Sequence, residues 1–176
     1  CPGATKAADP ATYIHGNGVP IWVLHGGLDP LVPYNQSLNV YQASVAAGNE
    51  VKFTFVPSAV HDLRTILGAA KATTRLHNRG GRQRIVEGSG PSWDDIEQFF
   101  LDVADATDLP LGIYNNPPRV KSDLHWDHLL RIFKHPNYVV HKESTARVGQ
   151  VAQVIAGKPG VSVMCCDSPN LGLVVP

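Results

Sequence analysis

Short apolar runs that stop at loop residues alternate with amphipathic stretches along this chain, and that alternation constrains its fold more than any other feature. Residues 19–24 are apolar and rich in strand formers and run into Gly26-Gly27, as a buried strand entering a loop does. Residues 51–56 alternate, carry Phe53 and Phe55, and close at Pro57, which reads as a second strand. Between them, residues 36–47 set Leu38, Tyr41 and Val45 at helical spacing, with Gly48 as the expected C-terminal cap. Residues 63–76 read as another helix. Further on, residues 109–114, 138–141 and 161–165 read as strands, and helices are expected from Ser92, over residues 122–133 and over residues 146–156. Ser92 heads the first of these with Asp95 where a capping box usually has Glu. Ile96, Phe99, Phe100 and Val103 form its apolar face, and Gly157 closes the last helix. Strand, helix, strand at this spacing implies right-handed βαβ units. The fold class is therefore α/β, with alternating β/α units and parallel strands in a sheet or barrel. No internal repeat goes beyond this alternation.

The stretch Asn78-Arg79-Gly80-Gly81-Arg82-Gln83-Arg84 is basic, contains glycine and has no periodicity. It marks the expected boundary between two segments, 1–80 and 81–176. Composition limits what the segments do. With 43% hydrophobic and 17% charged residues among 176, the chain is globular in type. Its formal net charge is zero, with no basic patch for nucleic acid and no charged block for a membrane surface. The apolar runs are strand-sized, too short to cross a bilayer, and no signal-peptide pattern is present. The first residue is Cys1, not Met, so a processed, trimmed or partial sequence is expected. The cysteines are Cys1, Cys165 and Cys166, an odd number with two adjacent, which argues against a disulfide framework and for the reducing cytoplasm. No H-E-x-x-H and no C-x-x-C occurs, so neither a metal nor a cofactor is expected.

Two pairs of strand-end loops carry chemistry-bearing residues. The first pair is His25-Gly26-Gly27-Leu28-Asp29-Pro30-Leu31-Val32-Pro33 and Val56-Pro57-Ser58-Ala59-Val60-His61-Asp62. Over residues 11–76 this pairing, with Tyr34-Asn35-Gln36-Ser37 and Ala46-Ala47-Gly48, resembles the C-terminal part of α/β-hydrolase esterases. The resemblance implies that Asp29 is the acid that orients an imidazole and that His61 is the general base. That family's nucleophile sits upstream in a G-x-S-x-G elbow. None is present, and Gly88-Ser89-Gly90 lies after the histidine, contrary to the family's order. The alternative is a turn-capping aspartate and an ordinary loop histidine.

The second pair is Leu111-Gly112-Ile113-Tyr114-Asn115-Asn116-Pro117-Pro118-Arg119 and Val139-Val140-His141-Lys142-Glu143-Ser144-Thr145. Over residues 88–170 these resemble the Y-N-x-P-x-R and G-x-K-E-[ST] segments of the dihydrodipicolinate synthase and N-acetylneuraminate lyase family. The resemblance implies a partial TIM barrel, part of an eight-stranded whole, with chemistry at strand ends. It further implies that Lys142 forms a Schiff base with pyruvate or another 2-keto acid. Burial of a strand-end lysine favours the neutral amine this needs. Tyr114 would relay protons, and Arg119 would bind a substrate carboxylate as a bidentate fork. Val120 and Lys121 depart from the family's usual Thr-Gly, and its early glycine- and threonine-rich loop is missing. The alternatives are a solvated loop lysine and a plain Tyr-Asn-Asn-Pro turn.

His125 and His128, three apart on one helix, are a weaker candidate metal pair against a solvated helix face. Cys165-Cys166 read as buried filler, and Trp22, Trp93 and Trp126 as packing residues. The chain thus reads as a partial α/β-hydrolase segment followed by a partial barrel segment. Three functions compete: a Schiff-base lyase fragment acting on a small 2-keto acid, an esterase remnant acting on an ester, and an inactive α/β module. Exposed sheet edges favour association into a homo-oligomer.

Overall fold

Strand β1 (Ile21–Gly26) runs parallel to β2 (Val51–Val56) in a computed structural model that describes residues 8–16, 18–120, 123–147, 149–158 and 160–165. The chain forms two compact units, Cys1–Ser92 and Trp93–Pro176.

In the first unit, helix α1 (Tyr34–Ala46) makes the crossover between β1 and β2. It starts after Pro33, whose extended backbone suits a helix entry, and ends before Gly48 at φ 73°, the left-handed position that favours glycine. Tyr41 on α1 packs against Val51 and Phe53 of β2, with Leu38 and Val45 beside them. These are the apolar positions the helical spacing singles out. A short helix α2 (Leu63–Ile66) follows β2, and Ile66 joins Val56, Ala59 and Ala72 in a second cluster. A Cβ at Gly26 would collide with the carbonyl oxygens of Ala59 and Val60. Glycine there lets the loop after β1 approach the loop after β2.

Three expectations need correction in this unit. Residues 63–76 are not one helix: only Leu63–Ile66 is helical, and Ala72–His77 forms strand β3. Gly68 at φ 64° ends the helical turn, and the β-branched pair Thr73-Thr74 suits the strand that follows. Residues 78–84 do not separate the two units. Asn78 N–H donates to the Arg82 carbonyl and Gly81 N–H to the Asn78 carbonyl, closing a hairpin turn into β4 (Gln83–Gly88). The division lies at Ser92/Trp93. Nor is the sheet parallel throughout. Its order is β1-β2-β3-β4, and β3 pairs antiparallel with both β2 and β4. Strand β4 is exposed along its length, with Ile85 60% accessible.

The second unit opens with α3 (Trp93–Asp105), which turns Ile96 and Ala104 inward. Strands β5 (Leu111–Asn115), β6 (Tyr138–Glu143) and β7 (Ser162–Cys165) form a parallel sheet in that order. Between β5 and β6 lie the short helix α4 (Pro117–Val120) and α5 (Trp126–Ile132), and α6 (Gln150–Gly157) joins β6 to β7. Leu129, Ile132, Phe133 and Val154 are fully buried with Ile113 and Tyr138 beneath them. Trp93 and Trp126 pack against this core, as expected of them.

Two helices here are shorter than their spacing implies. Of the stretch 122–133, Ser122 lies outside the described residues, and α5 begins only at Trp126. Leu124 is held outside the helix: its N–H donates to Asn115 Oδ1 and its carbonyl accepts from Asn115 Nδ2. Helix α6 starts at Gln150, not near 146, because Gly149 stands at φ 96°. Among the described residues no helix is long and apolar enough to cross a membrane.

Candidate active site

Tyr114 and Lys142 are direct partners in the β5–β6 ladder. Successive strand residues face opposite sides of a sheet. Lys142, Tyr114 and Met164 therefore share one face, and His141, Glu143, Ile113 and Asn115 share the other. The first face is open: Tyr114 is 41% exposed and Lys142 half-buried. Lys142 Nζ lies 4.0 Å from the centroid of the Tyr114 ring, a cation–π distance. The Asn116 side-chain amide donates to the Tyr114 hydroxyl. Lys142 is thus a strand residue against an aromatic ring, not a solvated loop lysine.

The opposite face carries what sequence reasoning missed. Glu143 and His141 are both wholly buried, with His141 Nε2 2.9 Å from Glu143 Oε2. Glu143 also accepts from Gln150 Nε2 at 2.8 Å, Asn115 Nδ2 at 3.0 Å, and the backbone N–H groups of Ser144 at 3.0 Å and Thr145 at 2.9 Å. Burial alone would raise this carboxyl's pKa. Hydrogen bonds from His141, Gln150 and Asn115, with the His141 charge, outweigh burial and hold it below its ordinary value. The signal available in the sequence was parity. If Lys142 faces a ligand, its neighbours His141 and Glu143 face the helices, where a charged pair needs partners.

Arg119 stands exposed on α4, its backbone N–H bonded to the Asn116 carbonyl. Val120 closes that helix, and Lys121 lies outside the described residues.

In the first unit, Asp29 and His61 come together as their loops suggest. Asp29 Oδ2 is 2.7 Å from His61 Nδ1; the carboxylate side chain is 5% exposed and the imidazole 42%. Asp29 Oδ1 takes the N–H groups of Leu31 and Val32 at 2.8 and 2.9 Å, so it caps the turn as well as holding the histidine. Burial would raise the Asp29 pKa, but the Val32 N–H, His61 and the Leu31 N–H overcome this and set it at about 2, from an ordinary 3.8. A depressed carboxylate stabilises the fold above its unfolded pKa and loses that contribution as pH falls through the folded one. The first unit is therefore expected to lose stability between pH 3.8 and about 2 from this group. Denaturant unfolding across that range is expected to fall less steeply in Asp29→Asn, and equal slopes would show that the carboxylate contributes nothing.

The remaining candidates are less organised for chemistry. His125 Nδ1 pairs with Asp127 at 2.8 Å, while His128 lies near Glu97 and Asp94. Arg131 already supplies the cation there, donating to Glu97 at 2.7 Å and to His128 Nδ1 at 2.7 Å. His125 and His128 thus have different partners and form no chelating pair with each other. Gly90 is a packing glycine: its N–H bonds the Ala69 carbonyl at 2.7 Å, and a Cβ there would strike the Ile66 carbonyl. Cys165 is half-buried on β7, and Cys1 and Cys166 lie outside the described residues.

The parallel β/α segment thus presents a lysine and a tyrosine at adjacent strand ends on one open face. Residues 89–168 match, more particularly, the sequence profile of the Dihydrodipicolinate synthetase family. The chain is 42% identical over 69 residues to a 4-hydroxy-tetrahydrodipicolinate synthase of Streptococcus uberis, covering 39% of this chain and 22% of that protein. Against the Streptococcus mutans enzyme of the same description the identity is 41% over 69 residues, with 39% and 23% covered. The solved 4-hydroxy-tetrahydrodipicolinate synthase of Methylacidiphilum fumariolicum SolV aligns at 28% identity over 48% of this chain and 30% of that chain, with a TM-score of 0.44. The chain thus spans less than a quarter of the length of these curated relatives.

Proposed function

We propose that residues 89–168 carry a Schiff-base site for pyruvate or a similar 2-keto acid, of lyase or aldolase type, with Lys142 as the amine. The observation that carries the reading is the Lys142–Tyr114 pair, partnered in the β5–β6 ladder with the amine 4.0 Å from the ring centroid, inside the family-matching segment. In this reading the neutral amine adds to the keto carbon, and the carbinolamine takes up one proton and loses one water to leave an iminium. The iminium draws electrons from the adjacent carbon, so a C–C bond there forms or breaks. Tyr114 moves the proton that the carbinolamine gains and loses. Arg119, exposed beyond the strand end, pairs with the substrate carboxylate. Pyruvate followed by borohydride tests it: one hydride adds to the iminium carbon and leaves a stable secondary amine. A mass increase mapped to the peptide containing Lys142 is expected. No adduct on a folded chain would reduce the resemblance to ancestry and leave an inactive module.

A second reading rests on the 2.7 Å Asp29–His61 pair. A carboxylate that orients an imidazole makes a general base, and a serine supplied from elsewhere would complete an ester hydrolase. Hydrolysis of p-nitrophenyl acetate that falls to background in His61→Ala would support a base at this position. The same assay is expected to show no serine-type turnover by the chain alone, because no G-x-S-x-G elbow is present.

A further inference from the structure

We infer that Glu143 is a positioning residue for Lys142: its buried carboxylate ties the ends of β5 and β6 to each other and to the start of α6, and so sets where the amine stands against Tyr114. The inference rests on the Schiff-base reading of Lys142. Glu143 collects donors from two strands, the turn after β6 and the helix that follows it. Asn115 comes from β5, His141 from β6, Ser144 and Thr145 from the turn beyond it, and Gln150 from the first turn of α6. The tie extends further. Asn115 and Gln150 both donate to the Leu124 carbonyl, and the Ser144 N–H donates to the Asn115 carbonyl at 2.8 Å.

The two residues held directly, Asn115 and Glu143, are ladder partners and immediate chain neighbours of Tyr114 and Lys142. One carboxylate on the buried face therefore fixes the backbone from which both reactive side chains leave on the open face. An apolar side chain of similar volume often replaces a buried charged pair without loss of stability. It cannot take five donors in a fixed arrangement. Stability and amine placement are thus separable, which makes the role testable. A misplacement of about 1 Å at a reacting group costs on the order of 100-fold in rate.

The test uses the full chain and its Glu143→Gln and Glu143→Asp variants. Fold is checked by denaturant unfolding, and the rate of borohydride-trapped pyruvate adduct at Lys142 is followed against pyruvate concentration and pH. In Glu143→Gln the limiting trapping rate is expected to fall about 10- to 100-fold with the half-saturating pyruvate concentration changed far less, and Glu143→Asp is expected to recover part of the loss. A folded Glu143→Gln protein that traps at the wild-type rate at every pH overturns the inference. If Glu143→Gln does not fold, Gln150→Ala, which removes a single donor, takes its place; wild-type trapping there overturns it equally. If the wild-type chain forms no adduct, the Schiff-base reading fails by itself. Positioning is then read from competitive acetylation of Lys142 against Lys52 and Lys134. An altered pH profile for Lys142 alone in the variant sustains the inference, and an unchanged profile sinks it.

Discussion

Lys142→Met is expected to abolish the borohydride-trapped pyruvate adduct completely while leaving the chain folded. The lysine is half-buried on the open face of the β5–β6–β7 sheet, so the change removes no core packing. What is lost is an amine 4.0 Å from the Tyr114 ring centroid, a contact worth about 0.5–1 kcal/mol at an exposed site. Methionine keeps an unbranched apolar stem against the ring and recovers part of that. The stability change is therefore within about 1 kcal/mol. The chemical change is total, because among the described residues no other side chain at these strand ends carries a primary amine. Intact mass and peptide mapping after borohydride report both outcomes, with Lys52, Lys71, Lys134 and Lys158 as internal controls. An adduct of undiminished yield on the variant would assign the carbonyl chemistry to a different lysine and end the role given to Lys142.

Phe133→Ala is expected to have the largest effect on folding. Phe133 is fully buried where α5 ends, and its ring meets Tyr138 at 6.3 Å and His141 at 5.4 Å between centroids. Truncating a buried Phe removes its transfer free energy and leaves a cavity, a cost of about 3–5 kcal/mol. Whole domains hold only about 5–15 kcal/mol, so the second unit is expected to lose much of its stability. The ring also packs on His141, so its loss frees the histidine that donates to Glu143. Denaturant unfolding, with Val139→Ala on β6 as an exposed control, measures the difference. A loss below about 1 kcal/mol would mean that the surrounding side chains collapse into the space.

What the sequence discloses follows the kind of signal each element carries. Strand β2 is legible because Phe53 and Phe55 alternate in an apolar run that Pro57 closes, and its observed limits are Val51–Val56. The Asp29–His61 and Tyr114–Lys142 pairs are legible because each joins loops or strand ends of neighbouring parallel strands. Strand β3 is not, since Leu63, Ile66 and Ala70 mimic a helical stripe until Gly68 and the threonines are given their weight. Its partner β4 is still harder, because Gln83, Arg84 and Glu87 on an exposed edge look like a linker; only pairing with β3 makes them a strand. The Glu143 hub is hidden for a third reason. Asn115 lies 28 residues from Glu143 and Gln150 seven, and composition assigns both polar side chains to the surface. Tertiary structure alone brings them to one carboxylate.

Alternation along β6 puts His141 and Glu143 on one side of the peptide chain and Lys142 on the other. Mutational tolerance across three consecutive positions should therefore be sharply uneven. Position 142 is open to many side chains at little cost in fold, so the strand would accept a different functional group there as readily as it would lose the present amine. Positions 141 and 143 admit few, because each change must satisfy the buried donors around it. A lineage, or a designer, can change the side chain offered at this edge by a single substitution while the scaffold beneath it stays as it was.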